Sequence, residues 1–101
     1  MLIEMALAAT ALAATSGEIS EDCTWNGIEL HGDVQIVESF ADIDVEIVSS
    51  FPDLEVKVVE SFPDDCGEWK FVESFPDFTV RFVESFGDIE IKYVSSFPGL
   101  P

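Results

Sequence analysis

Basic residues are almost missing from this chain: four Lys and Arg stand against 21 Asp and Glu, giving a formal net charge of −17 over 101 residues. Nucleic acids and anionic lipid surfaces are recognised by neutralising phosphate with Lys and Arg, so neither is expected as a partner. Self-repulsion of such a charge favours a soluble monomer, with recruitment of cations or of a basic partner as the sharper alternative. Histidine occurs once, as His31. No serine is framed by nucleophile-elbow glycines, and no phosphate loop, dinucleotide fingerprint or HExxH is present. The chain is therefore not read as an enzyme, and neither a catalytic residue nor a cofactor is expected. Long apolar runs are missing too: Met1–Thr15, MLIEMALAATALAAT, is too short and too rich in alanine for a secure membrane span.

That run fits a signal peptide over residues 1–15, because Ala11 and Ala13 have the small side chains and spacing that signal peptidase prefers. Against this, no Lys or Arg precedes the run and Glu4 lies inside it, as if the true start lay further upstream. A buried helix is the alternative. Residues 16–33 read as an irregular lead-in with Asn26-Gly27 as a hairpin turn. Cysteine is scarce: Cys23 lies in this lead-in and Cys66 in an irregular stretch further on. Their placement outside the regular segments predicts a Cys23–Cys66 disulfide, with two unpaired thiols as the alternative. The bridge would close a loop of about 44 residues and stabilise the fold by roughly 4 kcal/mol. It would also fit an exported protein, periplasmic or extracellular. Zinc is not expected, since only His31 could join the two sulfurs.

What the chain has in plenty is repetition. From Val34 onwards the segments VQIVESFAD, VEIVSSFPD, VKVVESFPD, WKFVESFPD, VRFVESFGD and IKYVSSFPG follow one another. Their closing aromatics, Phe40, Phe51, Phe62, Phe75, Phe86 and Phe97, are spaced by 11, 11, 13, 11 and 11 residues. Residues 34–101 are thus an array of six equivalent units. Within each copy apolar and charged residues alternate, as in Ile43, Val45 and Ile47, and β-branched residues are dense, which predicts strands and excludes helix. One apolar position of opposite parity recurs: Val37, Val48, Val59, Val72, Val83 and Val94. Because 11 is odd, an unbroken strand would swap faces from copy to copy, so the Phe-Pro-Asp corner must reset the register each time. The expected architecture is an all-β closed array of six short strands.

The charges repeat as well. Lys57, Lys70, Arg81 and Lys92 share one position, and Glu55, Glu68, Thr79 and Glu90 lie two residues earlier in the same copies. Pairing between copies would set bases beside acids and help fix the register. The corner carboxylates Asp42, Asp53, Asp64, Asp77 and Asp88 are the candidate ligands for Ca²⁺, although the corners lack the glycines of Ca²⁺-binding β-rolls. Glu38, Glu60, Glu73 and Glu84 are expected to face water. The repeated Phe are expected in the core, so that Phe62→Ala should cost about 3–5 kcal/mol.

The V-x-hydrophobic-V-[ES]-S-F-P-D core at 11-residue steps, preceded by Cys-Thr-Trp-Asn-Gly at 23–27, resembles the 7(1) septoil knot domain family. The resemblance covers Cys23 to the end. It implies a closed all-β chain whose path ties a seven-crossing knot, and it carries no established activity and no site. Departures are mild: Ala41 and Gly87 replace the corner Pro, and Gly99 replaces the last Asp. Mass spectrometry of the native protein is expected to find a mature N-terminus near Thr15 with both cysteines oxidised; an intact Met1 with free thiols would place it in the cytosol.

Overall fold

Strands form where β-branched and aromatic residues alternate with charged ones. The computed structural model describes residues 19–101, so the expected signal peptide at 1–15 lies outside the described residues. A short antiparallel hairpin comes first, from β1 (Thr24–Trp25) and β2 (Ile28–Glu29). Asn26 and Gly27 join them with φ of 53° and 81°, the two left-handed conformations that a type I′ turn requires. Six strands follow, one per repeat: β3 (Gly32–Ile36), β4 (Ile43–Ile47), β5 (Leu54–Val58), β6 (Glu68–Phe71), β7 (Phe78–Val83) and β8 (Ile89–Tyr93).

These six strands close into a barrel in the order β3-β6-β5-β8-β4-β7, and every neighbouring pair is parallel. Consecutive strands mostly do not touch. From β3 to β4, β4 to β5, β6 to β7 and β7 to β8 the chain moves two places round the barrel, always in the same direction. Only β5 to β6 is a step of one. The first three strands therefore make a triangular turn with gaps, and the last three fill the gaps. The single step is where the sequence period stretches from 11 to 13 residues, around Cys66. Each strand also divides its pairing: β4 meets β7 from Ile43↔Val80 to Glu46↔Val83, and β8 from Val45↔Ile89 to Ile47↔Ile91.

The first and third positions of the strands fill the barrel. Ile43 and Val45, Leu54 and Val56, Ile89 and Ile91 are completely buried, and the third apolar residue on the same parity, Ile47, is already half-exposed. Each such buried side chain contributes about 1.5–3 kcal/mol. Trp69 is the largest buried side chain, edge-on to Phe78 at 5.6 Å and to Phe71 at 6.3 Å. Its indole N–H donates to the Leu30 carbonyl at 3.1 Å, which fastens the lead-in to the core. Cys23 joins that same core and is bonded to Cys66, with Cα atoms 6.0 Å apart. The expected disulfide thus ties the lead-in to the one irregular step of the barrel.

The corners account for the remaining fixed positions. Leaving β3 for β4, the chain crosses the strand it skips, β7. Val37 N–H donates to the Val80 carbonyl at 2.9 Å as the corner begins. At its end Asp42 Oδ2 accepts the Thr79 amide at 2.9 Å, and Asp42 N–H donates to Thr79 Oγ1 at 2.9 Å. The same two-footed grip recurs. Val48 and Asp53 hold Ile91 and Glu90 of β8, and Val72 and Asp77 hold Val34 and Asp33 of β3. Asp88 holds Asp44 of β4, where Val83 already pairs with Glu46. Val94 and Gly99 hold Val56 and Glu55 of β5, the glycine carbonyl taking the role of the missing carboxylate. The third corner keeps its first foot, Val59 on Trp69 of β6, but Asp64 is displaced by the extra residues and bonds only locally, through its N–H. Five strands of the barrel are therefore crossed by a corner, whereas the third corner skips no strand and bonds to β6, the strand it leads into. Repeated overpasses of this kind are rare among folds and are what a knotted path consists of.

A carboxylate bonded to a backbone amide is a charge-assisted pair worth about 1.5–3 kcal/mol. Denaturant melts are expected to show Asp53→Ala losing about that much, while Asp64→Ala, whose carboxylate holds no strand, stays within about 0.5 kcal/mol of the parent.

Candidate functional site: the exposed corners

At the top of each corner sits the repeated phenylalanine, and it is not in the core. Phe40, Phe51, Phe62, Phe75, Phe86 and Phe97 are 80 to 100% exposed. The expectation that these rings are buried is corrected for a topological reason. The barrel interior is filled by strand positions, and each corner passes outside a strand, so its apex points into solvent. All six residues lie in the left-handed region, with φ between 55° and 61°. That conformation reverses the chain between its two feet, and it suits Gly or Asn; in other residues it costs about 1–2 kcal/mol. The chain therefore holds its bulkiest apolar residue six times over at a backbone geometry that disfavours it, with no burial in return. Strain of this kind points outward, to function.

The other expected positions fall around these apices. Glu38, Glu60, Glu73 and Glu84 are exposed, two residues before their Phe. The equivalent positions in the second and sixth copies are Ser49 and Ser95. Asp42, Asp53, Asp77 and Asp88 are engaged in clamps on four different strands, and Asp64 stands apart. The structure does not bring them together, and among the described residues no group of three or more His, Cys, Asp or Glu is placed to hold a metal ion.

The bases do stand opposite acids, as the pattern predicts: Lys57↔Glu68, Lys70↔Asp33, Arg81↔Asp44 and Lys92↔Glu55 are register partners. Arg81 grips Asp44 in a fork of 3.1 and 2.8 Å, and this contact raises the guanidinium pKa further above its ordinary value. His31 pins the third corner, its Nδ1 lying 3.1 Å from the Pro63 carbonyl and its Nε2 3.4 Å from Glu29. Among the described residues, the hollow around it is lined by Gly27, Ile28, Glu29, His31, Asp77 and Phe78. A second hollow, of about 460 Å³, lies where β3 and β6 meet, lined by Gln35, Ile36, Phe71, Val72 and Glu73.

Since the apical rings are almost wholly exposed, Phe62→Ala is expected to cost less than about 1 kcal/mol, and Phe62→Asn to be neutral or to stabilise by up to about 1 kcal/mol. Thermal and denaturant melts decide this; a loss above about 2 kcal/mol would show a packed ring.

Compared with known proteins, the chain finds no match among curated sequences. A family model does match: that of the 7(1) septoil knot domain, over residues 27–101. The matched span contains all six repeats, the single step at Cys66 and every corner clamp, so the chain belongs to the septoil knot domain family.

Proposed function

We propose that this chain is a non-catalytic, exported binding domain that presents its corners to a partner. The observation that carries this reading is the set of six solvent-exposed Phe held in left-handed conformations, since neither turn geometry nor packing calls for an aromatic ring there. A closed, disulfide-pinned barrel suits the role by holding the rings apart on a rigid frame. Cys23–Cys66 also supports export, because such bridges persist in oxidising compartments. The charge of −17 argues against nucleic acid and against anionic membrane surfaces as partners. Catalysis finds little support: His31 is engaged with Pro63 and Glu29, and among the described residues its hollow is lined by no serine, threonine or cysteine.

The oxidised protein is expected to turn over none of a panel of ester, phosphoester, glycoside and peptide substrates. A hydrolase activity that disappears in His31→Ala would sink the non-catalytic reading.

A further inference from the structure

Although the repeats are nearly equivalent, the barrel has two unlike arcs. Ordered by the strand to which each one is bonded, the corners with Glu before their Phe belong to β4, β7, β3 and β6, which are consecutive round the barrel. The two corners with Ser instead lie over β5 and β8, which are also consecutive. The strands repeat the division. β5 and β8 balance Glu55 and Glu90 with Lys57 and Lys92, whereas the other four carry Asp33, Asp44, Glu46 and Glu68 against Lys70 and Arg81. Of those two bases, Arg81 is held by Asp44 and Lys70 is opposite Asp33. An arc of four of the six places round the barrel therefore shows four exposed rings, each with an exposed carboxylate two residues away, and the remaining arc shows two rings without one.

We propose that the middle of the Glu-bearing arc, where the Phe40 and Phe75 corners lie over the adjacent strands β7 and β3, is a docking surface for an Arg- or Lys-rich polypeptide; this rests on the reading of the chain as a binding domain. A ring face beside a carboxylate is the chemistry that takes up a guanidinium or ammonium group, through cation–π attraction and charge pairing together. The hollow between β3 and β6 adds a place for an alkyl stem: Ile36, Phe71 and Val72 give it an apolar lining, and Glu73 belongs to the same wall. Charge complementarity selects this occupant over the alternatives. A second copy brings another −17, and an anionic membrane repels the surface, so apolar rings set in this field meet a cationic partner.

The test is calorimetric titration of the oxidised protein with a synthetic oligoarginine peptide at physiological ionic strength, where general polyelectrolyte attraction is screened. Asn variants keep the charge and suit the left-handed apex. Phe40→Asn with Phe75→Asn is expected to weaken binding about 5- to 30-fold. Phe51→Asn with Phe97→Asn, on the remaining arc, is expected to change it by less than about twofold. Glu38→Gln with Glu73→Gln should also weaken binding, and Ser49→Glu with Ser95→Glu should strengthen it and make Phe51 and Phe97 matter. Equal losses from both Phe pairs would overturn the cationic assignment and leave the corners as apolar binding elements. No loss from either would remove the rings from the surface altogether. Preference for vesicles of zwitterionic phosphatidylcholine over the peptide, or self-association in sedimentation, would equally overturn it.

Discussion

Six strands visited by steps of two places cannot close a barrel unless one step differs, because the fourth strand would land on the first. The chain meets this constraint once, between β5 and β6, and the rest of the architecture depends on it. The single-place step shifts the second triangular turn into the gaps of the first, so that each strand of one set lies between two strands of the other. The step needs extra chain, and Cys66 is placed in it, tied back to the lead-in. Gly67 follows directly, where a Cβ would run into the Glu55 carbonyl and the Gly99 amide. At this point the repeat has no freedom to stay regular.

The corner is the second half of the same solution. A connection that skips a strand must pass over it, and a polar backbone lying across a sheet needs partners for its amides and carbonyls. The fixed Val and the corner Asp supply them at the two ends of the arch. The chain turns back at the top of each arch, and the apex is left-handed in all six copies, the third included, where the second foot is missing. Folding, clamping and display are thus one local device repeated round the barrel, and the display differs only through the Glu or Ser that precedes each ring.

Much of this was legible in the sequence. The period of 11, the alternation within Ile43, Val45 and Ile47, and the odd 13-residue step gave the strands, their number and the place of the irregularity. The pairing of bases with acids followed from their common position, and the Asn26-Gly27 turn from its residues alone. The Phe were misread because a recurrent aromatic in an apolar repeat normally marks the core. The contrary signal lay in the flanks: Ser before and Pro-Asp after put each ring inside a turn sequence. The role of Asp as a clamp, and the grouping of Glu corners on consecutive strands, were not legible. Both depend on the interleaved strand order, which places residues 37 to 44 positions apart in contact and which no local pattern encodes.

Closure of the barrel matters in a way that concerns the protein's survival at high concentration. An open sheet bearing so many exposed phenylalanines would be an aggregation hazard, since each free edge is a template on which another chain can pair and bring its aromatics together. Here every barrel strand is bonded on both sides, and the backbone of each corner is spent on the strand beneath it. Barrels that collide touch through side chains, without a ladder of barrel hydrogen bonds to make the contact permanent. A barrel without free edges can therefore carry a sticky surface and still come apart from its own kind.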